Sequence, residues 1–296
     1  MSSIRSIAEW ISRAETAGKT LADIIVEQES KHSQQPPAVI RGAMAHNWQV
    51  MRAAIAAGLA SGEKSPSGLV GGDARRYYAR IDGGKALVGE AAAKAVAYAL
   101  AVSEVNACMG RIVAFPTAGS CGIMPGAVAA AAEAQGFGED AVIDGLLTAA
   151  GVGMIIADNA SVSGAEAGCQ AECGAGGAMA AAAVVQMAGG SPRQVAMAAA
   201  LALKNALGLV CDPVAGLVEV PCVRRNAFFA VQALVAADMA LAGVESAIPV
   251  DEVIDTMQRV GASMSPALKE TSQGGLAKTP TALAVERRLF SGGNAK

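Results

Sequence analysis

The sequence predicts an all-α fold, a single domain of packed helices with functional loops at the helix ends. Apolar residues make up 53% of the 296 residues but aromatic residues only 3%, so small and aliphatic side chains dominate. Alanine is the strongest helix former and occupies little room, which favours closely packed helices. The 34 glycines allow close contacts and end helices. The period-two alternation typical of β-strands is hard to find anywhere.

Apolar periodicity and helix-ending residues place the first helices in order. Ile4, Ile7 and Ile11 have helical spacing, and Gly18 follows them as a stop. Pro36–Pro37 suit the first turn of a later helix, because proline lacks the amide hydrogen that this turn leaves unpaired. The helices predicted in the first half are 3–16, 20–30, one from Pro36–Pro37 through residue 60, and 84–110, with a glycine-punctuated loop at 61–76.

Glycine-rich loops alternate with alanine-rich helices in the second half of the chain. They are predicted around 116–126, 158–177 and 205–226. A regular amphipathic stretch, 249–264, predicts a further helix, and a last loop is predicted at 269–284. Loops at helix ends are where binding and catalytic residues concentrate, so these segments are the candidate functional ones.

The domain organisation follows from the absence of a convincing linker. The softest boundary is the loop at 61–72, and no short-period repeat is visible. We therefore predict one catalytic domain over residues 1–296. Its N-terminal helices occupy 1–60 and its binding part occupies 61–296.

Charge and hydropathy exclude two classes of partner. The net charge is −3, with no basic stripe and no aromatic platform, so nucleic acid is not expected. Two windows, 113–132 and 173–192, lack charge over the length of a membrane span. The first contains prolines and glycines, and the second lacks Leu, Ile and Phe. The N-terminus has no continuous apolar core of a secretory signal, so we expect a soluble, cytoplasmic protein that does not enter a membrane.

Few histidines are present to carry catalysis. His32 lies in a polar connector, where solvation is expected. His46 lies in a helix near Trp48, where a half-buried packing role and a catalytic role both stay open. The segment 151–164 contains a GxG but lacks the full dinucleotide fingerprint and a preceding strand, so a Rossmann site is not predicted.

Cysteine is the remaining reactive residue type. Without an export signal, structural disulfides are not expected, and small buried hydrophobes are the plain alternative for each cysteine. Glycine or proline flanks Cys169 ("AGCQAECG"), Cys211 ("VCDPV") and Cys222 ("VPCV"), which keeps these segments irregular. Proline is a familiar neighbour of iron–sulfur cysteines, although this spacing is not a general metal motif. The six cysteines are Cys108, Cys121, Cys169, Cys173, Cys211 and Cys222.

Four segments together carry a family resemblance. They are "PTAGSCGIMPG", "NASVSGAEAGCQAE", "LKNALGLVCDPVAGLVEVPCVRRNA" and "ETSQGGLA". The chain resembles, over essentially its whole length, the α (catalytic) chain of iron–sulfur-dependent L-serine dehydratase. The resemblance implies a helical catalytic domain whose glycine-rich loops converge on an iron–sulfur site, with a [4Fe–4S] cluster bound in the 61–296 part.

The resemblance also assigns the cysteines. The three cluster ligands fall on Cys169, Cys211 and Cys222. The family pattern does not require a cysteine at Cys173, which is expected to pack near the cluster. Cys121 lies in a loop that the family uses for substrate, so it is expected close to the site without binding metal. Cys108, at a helix end, is expected to be buried filler.

The implied reaction converts L-serine to pyruvate and ammonia, a step in amino-acid degradation and gluconeogenesis. The iron without a cysteine ligand acts as a Lewis acid on the leaving hydroxyl, and no pyridoxal phosphate is needed. Two loops are expected to bind the substrate. Helix capping is the alternative role of each hydroxyl among these residues. The expected substrate-binding residues are Thr117, Gly119, Ser120, Asn159, Ser161 and Ser163.

The identity of the general base depends on whether a partner chain is present. His46 is the one histidine in a plausible place for the base, but the resemblance points to a base in a partner regulatory domain. We therefore expect a separate β (regulatory) chain and an oligomeric αβ assembly. The sequence ends "SGGNAK" without the terminal cysteine that folds onto the cluster in some relatives.

Three alternatives are weighed against this interpretation. A related iron–sulfur lyase such as an L-cysteine desulfidase would share the cluster and differ in leaving group. A non-catalytic cluster-binding subunit would keep the cysteines without turnover. A pyridoxal-phosphate dehydratase would need a Schiff-base lysine, and Lys204 lies in apolar surroundings, but the Ser-x-Lys-x-Arg-Gly run is absent.

Overall fold

The computed structural model describes residues 4–290, which contain thirteen α-helices and no β-strand. The all-α fold class is therefore confirmed for this part of the chain. The helices are α1 Ile7–Ala17, α2 Leu21–Ser33, α3 Pro37–Ala60, α4 Asp73–Asp82, α5 Glu90–Ala107, α6 Ile123–Gln135, α7 Glu139–Asn159, α8 Gly164–Ala167, α9 Ala175–Met187, α10 Pro192–Lys204, α11 Cys222–Leu241, α12 Val250–Ser263 and α13 Pro280–Phe290.

Short turns of other helix types connect several α-helices. A π-helical turn precedes α9, and π-turns are frequent at functional sites. The turns are the 3₁₀ segments Ala118–Ser120, Val214–Gly216, Pro266–Leu268 and Gly275–Lys278, and the π segment Gln170–Gly174.

The capping residues explain where the predicted helices were right and where they were wrong. The N-terminal helix begins at Ile7, because Ser6 caps it; residue 3 lies outside the described part. The helix predicted at 84–110 is shorter, since Gly89 with φ 72° sets its start at Glu90. The last residues of the predicted loop 61–76 belong to α4. The carboxylate of Glu104 on α5 caps α4 by accepting from three of its first backbone amides.

Two predicted loops contain more helix than the glycine content suggested. The 158–177 segment folds into α8, the π-turn and the start of α9, and the 269–284 segment contains Gly275–Lys278 and the start of α13. Glycine and serine are weak helix formers, but tertiary contacts fix these turns. Both segments lie beside the cysteines, so these helical turns are part of the candidate site.

The alanine-rich helix α9 forms the centre of the core. All but one of its thirteen residues are buried, and α6, α7, α10 and α11 pack around it. Small residues allow this packing. A Cβ added at Gly126 on α6 would lie 2.8 Å from the Cβ of Ala99 on α5. The cysteine-bearing segments are attached to this rigid centre, because the π-turn leads directly into α9.

One core helix passes a composition test for membrane spans. Helix α7, Glu139–Asn159, is long and apolar enough to cross a membrane, but 67% of its most apolar window is buried inside the protein. Its neighbours are α9, α2 and α3. The apolar character of α7 is therefore that of a buried core helix.

Gly151 on α7 gives a testable packing prediction. A Cβ at this position would lie 1.8 Å from Cη2 of Trp10 and 2.6 Å from Cδ1 of Ile25. We expect Gly151→Ala to lower the free energy of unfolding by about 3 kcal/mol, because overpacking forces the indole to move. The matched control is Gly42→Ala on α3, where nothing lies within 4 Å. That change is expected to stabilise the helix by about 0.5–1 kcal/mol, and urea denaturation compares the two. Equal effects would contradict the packing argument.

Candidate active site

Three segments far apart in the chain carry the predicted cluster cysteines. Cys169 lies directly before the π-turn, Cys211 lies in an extended segment after α10, and Cys222 is the first residue of α11. All three side chains are buried, with exposed fractions of 2%, 3% and 7%. The fold therefore encloses these thiols rather than presenting them to solvent.

The side chain of Gln170 joins the first two segments. Gln170 is fully buried beside Cys169; its amide nitrogen donates to the carbonyl of Met257 at 3.0 Å, and its amide oxygen accepts from the backbone N–H of Gly208 at 2.9 Å. Because Gly208 precedes Cys211 by three residues, this one side chain fixes the position of both cysteine segments relative to α12.

The C-terminal segment holds Cys211 from the other side. The backbone N–H of Cys211 donates to Leu268, and its carbonyl accepts from the N–H of Glu270, both at 2.8 Å. The next residue, Asp212, is buried and accepts from the N–H of Leu276 at 2.8 Å. The segment "ETSQGGLA" thus packs against the segment "VCDPV" in the folded chain.

The segment before Cys222 is tied to the 61–72 loop. Ser65 and Ser67 both donate to Oε2 of Glu219 at 2.6 Å. Glu219 is buried, with an exposed fraction of 6%. Burying a carboxylate costs free energy, and the two hydroxyl donors offset part of that cost. These bonds position the first turn of α11, where Cys222 lies.

The charges of the three thiols act on one another's pKa values. The hydrogen bond between the Sγ atoms of Cys169 and Cys173, 3.3 Å apart, lowers the pKa of Cys169, and the guanidinium of Arg225 lowers it further. Burial, together with the negative charge of Cys169, raises the pKa of Cys222 to about 12 and also raises the pKa of Cys211. The three thiols sense one another's charge, so three thiolates could coexist there only beside a cationic group.

Among residues 4–290, no group of three or more His, Cys, Asp or Glu side chains is placed to hold a metal ion. Arg225 lies beside Cys169 and is itself held by Asp212 at 2.9 Å and by the carbonyl of Val210 at 2.8 Å. The positive charge next to Cys169 is therefore fixed in place.

The other cysteines occupy three different surroundings. Cys173 is buried and contacts Cys169, as predicted for a packing neighbour. Cys121 is buried beside Ser103 on α5, and burial raises its pKa to about 12. Cys108 is half-buried at the end of α5, so the expectation of a fully buried filler was wrong. The reason is its position at the helix end, where the chain turns toward solvent.

The loop 116–126 places its hydroxyls close together. Thr117 Oγ1 lies 3.1 Å from Ser120 Oγ and donates to Oε1 of Glu172 at 2.9 Å. Ser120 is fully buried, whereas Thr117 and Gly119 are half-buried. The structure thus brings these three predicted substrate residues together beside the π-turn that follows Cys169.

Asn226 fixes this loop against α11. Its amide nitrogen donates to the carbonyls of Gly119 at 2.8 Å and Cys222 at 2.9 Å, and its oxygen accepts from the N–H of Gly122 at 2.8 Å. The side chain is buried, with an exposed fraction of 1%. Asn226 lies four residues after Cys222, so one turn of helix connects this cysteine to the loop 117–122.

Asn226→Asp is expected to lower the free energy of unfolding by about 2–3 kcal/mol, because two buried carbonyls lose their donor and a charge is introduced. Thermal unfolding followed by circular dichroism measures this. The matched control is Asn159→Asp, whose amide lies on an exposed helix end and is expected to change stability by less than about 1 kcal/mol. An Asn226 variant as stable as the control would show that the loop is held in another way.

The second predicted substrate loop is less uniform. Asn159 ends α7 and donates to the carbonyls of Ile155 and Arg5 at 2.9 and 3.0 Å. Ser161 donates to Glu166 at 2.6 Å and accepts from the N–H of Ser163. Ser161 thus forms bonds within its own loop, whereas the half-buried Ser163 at the start of α8 makes no side-chain cap bond, so the capping alternative is not borne out for Ser163.

His46 lies on the exposed face of α3. Its Nε2 lies 3.2 Å from a guanidinium nitrogen of Arg111. Within the described part of the chain, no hydrogen bond links His46 to Thr117 or to the cysteines. The proposed base role of His46 therefore has no support from contacts within this chain.

Glu172 is the site residue that the sequence argument missed. Its partly buried carboxylate accepts from Thr117, and burial raises its pKa, with the charge of Glu270 adding to the shift. The only signal in the sequence was its place at the end of "NASVSGAEAGCQAE". Because it lies between two cysteines, its own chemistry was easily overlooked.

Comparison with known proteins shows the family of the chain. The profile of the family described as "Serine dehydratase alpha chain" matches residues 16–277. The chain belongs to the serine dehydratase alpha chain family. The match includes every predicted site residue, from His46 to Cys222.

Three relatives show how much of the chain the similarity covers. A "Probable L-serine dehydratase, alpha chain" from Bacillus subtilis is 50% identical over 97% of this chain and 96% of that protein. An "L-serine dehydratase, alpha chain" from Peptoniphilus asaccharolyticus is 44% identical over 98% of this chain and 100% of that protein. An "L-serine dehydratase" from Streptomyces coelicolor is 40% identical over 91% of this chain but only 59% of its own length.

Proposed function

We propose that this chain is the catalytic subunit of an enzyme that dehydrates and deaminates L-serine to pyruvate and ammonia. The observation that carries the proposal is that three buried cysteines from distant segments affect one another's pKa values, while Asn226 joins Cys222 to the hydroxyl-bearing loop at Thr117 and Ser120. The relatives named L-serine dehydratase and the family membership support the same reaction.

The cofactor in this proposal is a [4Fe–4S] cluster held by Cys169, Cys211 and Cys222. The donor set fits, because iron–sulfur clusters take cysteine thiolates and each thiolate binds a different iron, farther apart than ligands of a single ion. The mutual charge of the three thiols favours a cationic group between them. When bound, the cluster supplies a Lewis acid for the leaving hydroxyl.

The residues of the chain hold and orient the reactants. Arg225 offsets the negative charge at Cys169, and the Sγ of Cys173 is hydrogen-bonded to the same sulfur at 3.3 Å. Burial of all three cysteines limits water access, which strengthens the electrostatic interactions in the site. The hydroxyls and backbone amides of the loop 117–120 are suited to the substrate carboxylate.

A separate β chain completes the site in this proposal. The relatives that match this chain end to end are named alpha chains, whereas the Streptomyces relative extends well beyond the match. Among the described residues, His46 forms a hydrogen bond with Arg111 and none with the site residues, so we place the general base on the partner. Six free cysteines suit a reducing compartment, and we propose the cytoplasm.

The experiment is pyruvate formation by the anaerobically purified chain, alone and with its β chain, from L-serine and from L-cysteine. The proposal expects pyruvate from L-serine at a rate that rises when the β chain is added. Faster turnover of L-cysteine would favour the desulfidase alternative. No turnover of either substrate by the αβ assembly would favour a non-catalytic cluster-binding subunit, and full L-serine turnover by the chain alone would contradict the partner.

A further inference from the structure

The carboxylate of Glu172 has an unbalanced charge. Thr117 supplies its hydrogen bond at 2.9 Å, and within residues 4–290 no Lys, Arg or His nitrogen lies within 4.0 Å of its oxygens. The charge of Glu270 is close enough to act on Glu172. Partly buried carboxylates without a cation are unusual, because burial penalises the charged form.

The backbones of two glycines pack closely against the carboxylate of Glu172. A Cβ at Gly119 would lie 2.8 Å from Oε1, and a Cβ at Gly164 would lie 2.8 Å from Oε2. The same point beside Gly164 is 3.2 Å from the Sγ of Cys211. The carboxylate therefore lies between the two predicted substrate loops and next to a proposed cluster ligand.

The π-turn explains how Glu172 reaches this position. Residues Gln170–Gly174 form five residues of π-helix between Cys169 and α9, and the wider turn shifts the side-chain directions relative to an α-helix. Thr117 donates to Oε1, which fixes the plane of the carboxylate. Oε2, on the side of Gly164, has no protein donor in the described part of the chain.

We propose that Glu172 binds the α-ammonium group of the amino-acid substrate and so selects amino acids over hydroxy acids. This rests on the proposed function, in which L-serine is the substrate. The carboxylate and the hydroxyl of L-serine are oxygen groups that suit a metal and backbone amides. The ammonium is the one cation of the substrate, and the carboxyl group of Glu172 at the same site has no cationic partner among residues 4–290.

If Glu172 recognises the substrate, its replacement is expected to change KM much more than kcat. Glu172→Gln keeps the size and the acceptor for Thr117 but removes the charge. In the holoenzyme with its β chain, KM for L-serine is expected to rise about 10- to 100-fold, with kcat changed by less than about threefold. Inhibition by glycerate, which carries a hydroxyl in place of the ammonium, is expected to stay the same. A loss of kcat at unchanged KM would overturn the proposal and indicate a proton-transfer role.

Controls separate recognition from general damage. Glu133→Gln alters a carboxylate on α6 that Tyr98 binds at 2.9 Å, far from these contacts, and KM is expected to stay the same. Glu172→Asp keeps the charge and is expected to recover part of the affinity. Gly119→Ala places a methyl group against Oε1 and is expected to raise KM without removing the charge.

Calorimetric binding distinguishes failure of this inference from failure of the proposed function. If the wild-type assembly binds L-serine but makes no pyruvate, the proposed reaction fails while the ammonium site is still tested. Weaker binding of L-serine by Glu172→Gln, with glycerate unaffected, supports the inference. Equal weakening for L-serine and glycerate, or no binding of L-serine by wild type, overturns it.

Discussion

Replacing Cys211 by serine is expected to remove bound iron and to lower pyruvate formation by more than about 100-fold. Cys211 is buried between the segments "VCDPV" and "ETSQGGLA", and backbone bonds on both sides fix its direction. A serine hydroxyl fits the space but is a poor iron ligand. The measurement is iron and sulfide content together with turnover, on protein purified without air.

Cys108→Ser is the matched control for that change. Cys108 is half-buried at the end of α5 and lies outside the group of three thiols. We expect wild-type iron content and activity. Full iron and activity in the Cys211 variant would remove this residue from the cluster, whereas loss in both variants would indicate general instability of the chain.

Replacing Arg225 by methionine is expected to lower the free energy of unfolding by about 3–5 kcal/mol, because it leaves a buried charge without a partner. Arg225 binds Asp212 at 2.9 Å, and the side chain of Asp212 is only 4% exposed. The same guanidinium lies beside Cys169. Anaerobic chemical denaturation measures the stability, and iron content shows whether the cluster segment is disturbed.

The neighbouring Arg224 offers a matched control on the same helix. Its ion pair with Asp73 has similar length, 2.7 Å, but its side chain is 43% exposed. Solvent screens such a pair, so Arg224→Met is expected to cost less than about 1 kcal/mol. Equal losses for the two variants would contradict the claim that burial makes the Arg225 pair structurally important.

The sequence predicted much of the fold because its local signals agree with one another. Alanine-rich periodicity and glycine stops located α3 close to its observed bounds, and proline at its first turn marked the start. The prediction was wrong where tertiary contacts decide. The start of α4 depends on the carboxylate of Glu104, thirty-one residues after Asp73, which no local pattern contains.

Some residues of the candidate site could also be predicted from the sequence, and others could not. The cysteines could be named from the family resemblance. The structure shows that they are buried and that the charges of Cys169 and Cys222 act on the pKa of Cys211. The roles of Asn226 and Glu172 could not be predicted, because each depends on contacts across the chain. Asn226 bonds to a loop 104 and 107 residues earlier, and Glu172 bonds to Thr117, 55 residues earlier. Hydrogen bonds over such separations exist only once the helices have packed.

The central claim is that a cluster held by Cys169, Cys211 and Cys222 takes part in L-serine dehydration. Its most direct test is the iron and sulfide content of the anaerobically purified αβ assembly, followed together with pyruvate formation during exposure to air. We expect about four irons and four sulfides per chain, and activity that falls in step with their loss. Full L-serine turnover by protein without iron would contradict it.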